Sequence, residues 1–396
     1  MSKGVYRNTN PVMNLHGVPI YMKDVVDACL TGRLNLFLQG DTGSGKTQLA
    51  RDAMSQFGDK SIFLLGRNDM QTRELFEQIN LEKLKTAKTS AELKELTDKL
   101  DANLIVVDEL PNCVPAVRAQ LFNLFDGFVE SSGRMHPIGN GYSVGIATGN
   151  IGQKFTESAN DMGRALLDRM HVILDTDHFA PTPYDTMEIL SGSTNPRVEV
   201  TQTEDLADKV IKAHNELVAS TIPFEKQIVA GYLVNGLDYC SKGSKRKMKD
   251  AWPNALDKHE EGGDEHLVLP ISIRGAKSVL RLSQALDKIA IEKGATKIDP
   301  LESMLQAYKI VAAYSGVLNE ADVIETYNGD KYAAIDAINA TTRTQFSQYS
   351  EAIRAGLEGI RTGKLAQKVL DKFSGRWGYM KQILTEWHNQ NDEKSS

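Results

Sequence analysis

The chain has 396 residues, 41% of them apolar and 25% charged, a mix that excludes a disordered or collagen-like polymer. That length is enough for two or three domains with substantial cores. With 46 basic against 52 acidic residues the formal charge is −6, which argues against nucleic acid as the main partner.

Cys29, Cys113 and Cys240 lie far apart without a C-x-x-C pair, so neither a disulfide framework nor a zinc ribbon is expected. The histidines show no paired metal spacing, and no zinc site is assigned. No apolar run approaches the roughly 18 residues of a membrane span. Met1-Ser2-Lys3-Gly4-Val5-Tyr6-Arg7 lacks the apolar core of a signal peptide. The expectation is a soluble cytoplasmic protein with no membrane segment.

Met22 to Leu30 reads as an amphipathic helix, with Val25, Val26, Cys29 and Leu30 on one face. Leu34 to Gln39 is the first buried strand, followed by a glycine-rich turn and a helix over Thr47 to Phe57. Ser61 to Leu65 reads as a strand. Leu81 to Leu100 is rich in Lys, Glu and Leu, with Leu93, Leu96 and Leu100 at helical spacing. Leu104 to Val107 is a strand, Val117 to Val129 a helix, Gly145 to Thr148 a strand and Met170 to Leu174 the last strand. Short apolar strands alternating with helices predict an α/β fold with a parallel sheet. Beyond Pro181-Thr182-Pro183 the periodicity turns helical, clearest over Asp205 to Val218, Lys277 to Lys293, Leu301 to Tyr314 and Ala334 to Leu370. Asn389 to Ser396 reads as a polar tail. The expected domains are an α/β unit over 1–180, a helical unit over 181–335 and a helical extension over 336–396.

Gly40-Asp41-Thr42-Gly43-Ser44-Gly45-Lys46-Thr47 fits G-x-x-x-x-G-K-[ST]. Glycines let backbone N–H groups curl around phosphate oxygens, Lys46 adds charge at the β- and γ-phosphates, and the Thr47 hydroxyl can ligate Mg²⁺. The helix that follows, through Gln48, aims its positive end at the same phosphates. Leu104-Ile105-Val106-Val107-Asp108-Glu109 is a buried strand ending in two acids. Asp108 is suited to the metal and Glu109 to polarising an attacking water, which favours hydrolysis over transfer to a small acceptor.

With Pro115 to Phe122, Gly145-Ile146-Ala147-Thr148-Gly149-Asn150 and Ala165-Leu166-Leu167-Asp168-Arg169-Met170 added, the chain resembles the AAA+ ATPases, and within them the MoxR-like branch, over roughly residues 10 to 330. It departs from that branch at Asp41 to Ser44, at Leu110-Pro111-Asn112 and at Met170. The resemblance implies a P-loop fold with an all-α lid, binding of ATP and Mg²⁺, and ATPase activity. It implies that Asn150 is a sensor of the γ-phosphate or attacking water. Arg169 would be an arginine finger acting on a neighbour's nucleotide, with Arg164 as competing candidate. Arg274, opening a helix after Pro270, would be a second sensor within its own subunit. Gly133 to Tyr142 would be a hairpin before the Gly145 strand. It further implies a homo-oligomeric ring, most often a hexamer. The ring would remodel or activate a client or adaptor protein, in this branch often one with a von Willebrand factor A domain.

Two other readings remain open at this point: a nucleic-acid translocase, and a nucleotide-gated scaffold with little turnover. Lys242, Lys245, Arg246, Lys247 and Lys249 read as a solvated loop or as a patch for nucleic acid or an acidic partner. Trp377, Tyr379 and Trp387 read as core or as a docking surface.

Overall fold

The computed structural model describes residues 4–67, 77–79, 94–96, 98–131, 134–150, 169–192, 205–237 and 267–395. Arg164, Cys240 and the Lys242–Lys249 cluster lie outside these residues. Packing divides the chain into two compact units, Met1–Thr221 with Arg281–Ile298, and Ile222–Leu280 with Asp299–Ser396.

The first unit begins with an antiparallel hairpin of β1 (Pro11–Leu15) and β2 (Val18–Tyr21), then α1 (Met22–Gly32). Strand β3 (Leu36–Gln39) leads into α2 (Lys46–Met54), and β4 (Ser61–Leu65) follows. A short antiparallel pair joins β5 (Glu77–Ile79) to β6 (Lys94–Leu96). Next come β7 (Leu104–Asp108), α3 (Pro115–Phe125), the hairpin β8 (Phe128–Ser131) and β9 (Arg134–Pro137), β10 (Val144–Gly149) and β11 (Val172–Asp175). Helices α4 (Pro183–Ser191) and α5 (Ala207–Ala219) complete the described part of this stretch.

Five strands form one parallel sheet in the order β11-β3-β10-β7-β4. Every residue of β3, β7 and β10 is buried, as parallel strands covered on both faces require. All five strands end on the same side, so the segments after β3, β7 and β10 meet at the carboxyl edge where such sheets bind ligands.

The α/β class and the parallel strands stand as expected; several boundaries do not. The helix expected to run to Val129 ends at Phe125, because Val129 pairs with His136 across the β8–β9 hairpin. That hairpin spans 128–137, upstream of the expected 133–142, while Gly139–Gly141 forms a separate 3-10 turn. Within the expected helix over Leu81 to Leu100, Lys94–Leu96 is a strand paired with Glu77–Ile79, and Asp98–Asp101 is a 3-10 turn. The rest of that stretch lies outside the described residues.

The packing boundary falls at residue 221 rather than at Pro181–Pro183. The physical cause is α5: His214 on this helix donates from Nδ1 to the Thr31 carbonyl, 2.9 Å away, and packs edge-on against Tyr142, which tie it to the α/β unit.

The second unit is helical: α6 (Phe224–Gly231), the first part of α7 (Ile273–Glu292), α8 (Pro300–Ala312), α9 (Glu320–Tyr327), α10 (Lys331–Arg361), α11 (Gln367–Leu370) and α12 (Tyr379–Ser395). Asp299, Asn319 and Asp330 accept backbone N–H groups at the starts of α8, α9 and α10, as N-caps do. Trp377 stands at the centre of an aromatic core, 5.1 Å from the Tyr232 ring, 4.8 Å from Phe346 and 4.9 Å from Tyr349. Trp377 and Tyr379 are therefore core residues, and Trp387 is half-buried against Phe224. Residues 389–395, expected as a tail, continue α12.

Candidate functional site

The turn after β3 has backbone that only glycine adopts readily. Gly43 and Gly45 have φ of +86° and +84°, and a Cβ on Gly45 would strike the Tyr6 ring at 2.8 Å. The loop is clamped from the neighbouring strand end. Gln39 donates to Asp175 at 2.9 Å, Thr176 donates to the Gln39 carbonyl at 2.8 Å and lies 2.8 Å from the Ser44 hydroxyl, and the Asp41 N–H donates to Asp177 at 2.7 Å. The Gln48 amide donates to Asp52 one turn along α2.

Lys46 folds back over the loop. Its ammonium donates to the carbonyls of Gly40 and Asp41 at 2.8 and 2.7 Å, and lies 3.3 Å from the Ser44 hydroxyl. Burial lowers its pKa, and the carboxylates of Glu109, Asp177, Asp108 and Asp41 oppose that shift without cancelling it. A cation held by neutral loop oxygens, two carbonyls and a hydroxyl, can exchange them for an anionic ligand.

Across the sheet edge, the Thr47 hydroxyl donates to Asp108 Oδ1 at 2.9 Å. A hydroxyl and a carboxylate so placed are the hard oxygen donors that Mg²⁺ takes, with phosphate oxygens and waters completing its shell. The loop N–H groups, Lys46, Thr47 and Asp108 together suit a polyphosphate with a hard divalent cation.

Glu109 opens the turn after β7 in left-handed backbone, φ 58° and ψ 42°, a conformation that costs a non-glycine residue about 1–2 kcal/mol. Its carboxylate lies at the edge of hydrogen-bond distance, 3.5 Å, from the Asn112 amide. Asn150 follows β10 directly, and its amide oxygen is buried with no hydrogen-bond partner among the described residues, an acceptor that a water or ligand donor can satisfy.

Arg169 lies elsewhere. Its carbonyl accepts from Asn35 at 3.2 Å, and Asn35 stands just before β3, at the end of the sheet opposite the phosphate loop. Its guanidinium pairs with Asp126 at 3.0 Å and covers the Phe122 ring at 5.1 Å. Arg274 belongs to the second unit, in the first turn of α7. The structure thus brings together Gly40 to Thr47, Asp108 and Glu109, with Asn150 at the end of the strand between them.

Sequence reasoning missed Gln39, Asp175, Thr176 and Asp177 around the loop, and Thr148, whose hydroxyl lies 2.6 Å from Asp108 Oδ1. Thr148 carried the best signal of these: a polar residue at the end of a buried strand, two positions before Asn150. Continuing the β7–β10 register beyond Ala147 and Val107 sets it beside Asp108.

Residues 35–170, about a third of the chain, match the profile of the AAA domain of the dynein-related subfamily. The crystal structure described as "a putative ATPase" from Cytophaga hutchinsonii is similar at 15% identity with a TM-score of 0.56, covering 80% of this chain and 88% of that one. A full-length MCM homolog from Methanopyrus kandleri matches at 13% identity with a TM-score of 0.46, over 74% of this chain and 55% of its own. Profile, sheet order and phosphate loop agree on residues 35–170: this stretch is similar to a AAA domain and has its P-loop fold.

Proposed function

We propose that the chain hydrolyses ATP with Mg²⁺ at boundaries between copies of itself, in a ring that is a hexamer, and uses the cycle to remodel or activate a partner protein in the MoxR-like manner. The convergence of Lys46, Thr47 and Asp108 at one sheet edge carries this reading. Gly40 to Lys46 cradle the phosphates, and Thr47 with Asp108 hold the cation. The bound Mg²⁺ offsets charge on the phosphate oxygens during transfer.

Glu109 accepts the proton of the attacking water, and Asn150, with its unsatisfied amide oxygen, orients that water. Arg169, remote from its own phosphate loop, acts in trans by leaving Asp126 for a neighbour's γ-phosphate. Arg274 reports nucleotide from the helical unit, which serves as lid. The client, expected to carry a von Willebrand factor A domain, and a cytoplasmic setting follow from the resemblance. Among the described residues no helix is long and apolar enough to cross a membrane.

Steady-state phosphate release by the purified chain with ATP and Mg²⁺ tests the reading. Turnover that disappears in Lys46→Ala and Glu109→Gln supports it. Nucleotide binding without turnover in the wild type would leave a nucleotide-gated scaffold. Capture of the client by the Glu109→Gln protein loaded with ATP tests the remodelling task.

A further inference from the structure

Between the two acids of the site sits a hydroxyl with two fixed partners. Thr148 is wholly buried on β10. Its Oγ1 accepts the Glu109 N–H at 3.1 Å and lies 2.6 Å from Asp108 Oδ1. Since the Glu109 amide can only donate, the single hydroxyl proton goes to the Asp108 carboxylate. The Thr47 hydroxyl reaches the same Oδ1, so one carboxylate oxygen takes both hydroxyls.

The same turn is wedged from both neighbouring strands. On the β4 side, the Gly66 N–H donates to the Asp108 carbonyl at 2.7 Å, and a Cβ on Gly66 would come within 2.4 Å of the Glu109 carbonyl oxygen. On the β10 side, a Cβ on Gly149 would meet the Pro111 ring at 2.3 Å. Glu109 therefore holds its left-handed backbone because its amide is fixed by Thr148 and its carbonyl is confined by Gly66.

We propose that Thr148 is a positioning residue that locks the Asp108 carboxylate and the Glu109 backbone into one unit, so that metal ligand and water activator keep a fixed mutual geometry through the cycle. The proposal rests on the hydrolytic reading above. When Thr47 turns from Asp108 toward a bound cation, Thr148 remains the hydroxyl that orients Oδ1. Displacing the Glu109 backbone by about an ångström is enough to cost roughly a hundredfold in rate.

Thr148→Val keeps the branched shape and removes the hydroxyl, while Thr148→Ser keeps the hydroxyl and removes the methyl. In Thr148→Val, kcat should fall about a hundredfold. Affinity for a fluorescent ATP analogue without metal should stay within about threefold, and the melting temperature should stay close to wild type. Thr148→Ser should recover most of kcat. Without nucleotide or metal, the Glu109 amide should exchange hydrogen faster in Thr148→Val and at the wild-type rate in Thr148→Ser.

A Thr148→Val protein with wild-type kcat overturns the proposal. So does a joint fall of kcat, binding and melting temperature that serine does not rescue, since that is loss of packing alone. If the wild type itself shows no turnover, the hydrolytic reading fails. The exchange rate of the Glu109 amide then decides the clamp by itself, and an unchanged rate in Thr148→Val ends it.

Discussion

The two ends of the parallel sheet treat their charged residues differently. At the carboxyl end, Lys46, Asp108 and the Glu109 backbone are each held by buried or part-buried hydrogen bonds to fixed neighbours. At the amino end, Arg169 is tied to a half-exposed Asp126 and a ring face. Groups that must meet a reacting centre in one geometry benefit when they are already fixed, because no reorganisation remains to be done in the transition state. An exposed ion pair by itself contributes little, typically under about 1 kcal/mol. The contrast separates a hydrogen-bonded centre from a half-exposed ion pair.

The largest expected effects test the carboxyl end. Glu109→Gln should lower kcat by about a thousandfold with nucleotide affinity nearly intact, because the amide cannot take a proton from water. Lys46→Ala should instead weaken triphosphate binding itself. Equilibrium binding and single-turnover phosphate release separate the two; equal loss of binding in both would break the assignment.

The next test addresses the amino end. Arg169→Ala should cost on the order of a thousandfold in turnover, as loss of an arginine finger does. Asp126→Asn, which removes the charge paired with Arg169, should leave turnover within about threefold. Mixing Arg169→Ala with Lys46→Ala subunits should restore part of the rate, since a mixed boundary pairs an intact loop with an intact finger. Co-assembled mixtures that recover nothing would place Arg169 among structural residues.

What could be seen in the sequence divides along related lines. The phosphate loop and the Asp108–Glu109 pair were legible because their chemistry dictates both residue type and spacing within a few positions. The clamps around them were not. Thr148, Thr176 and Asp177 reach the loop or the acidic turn from strands brought alongside by the fold, and threonine in a strand reads as an ordinary β-former. The β5–β6 pair was hidden for the same reason: Lys94–Leu96 shows leucine spacing locally, and only its partner Glu77–Ile79 makes it a strand. The early end of the helix at Phe125 likewise depends on a pairing across β8 and β9.

A smaller effect concerns how the phosphate-loop unit holds its N-terminal segment. Asp185 is wholly buried and accepts from the backbone and hydroxyl of both Thr9 and Thr182. Burial pushes its carboxyl up, but these four hydrogen bonds outweigh it and bring the pKa down to about 2. With the folded value below the unfolded one, the bonds stabilise fully above about pH 4 and are lost as pH falls toward 2. Asp185→Ala should lower the melting temperature at pH 7 and lose that deficit toward pH 2. A pH-independent deficit would show that helix capping alone is at stake.

The mildest test uses a carboxylate of the opposite sign, again in the first unit. Asp27 on α1 is pushed up to about 6, chiefly by burial, against the Gln56 amide that donates to it at 3.1 Å; its other oxygen has no hydrogen-bond partner. Here the folded value lies above the unfolded 3.8, so folding favours the protonated form. No penalty operates below about pH 4; it grows as pH rises from 4 to 6 and is complete above 6. At two pKa units it amounts to at most roughly 3 kcal/mol. Asp27→Asn removes the charge while a flipped Gln56 amide can still share a hydrogen bond. The variant should therefore melt higher than wild type at pH 8, by an amount that shrinks to nothing at pH 4, with turnover unchanged because Asp27 takes no part in the phosphate site. A variant that melts lower than wild type at pH 8 would mean that the ionised carboxylate has a partner worth more than its burial costs.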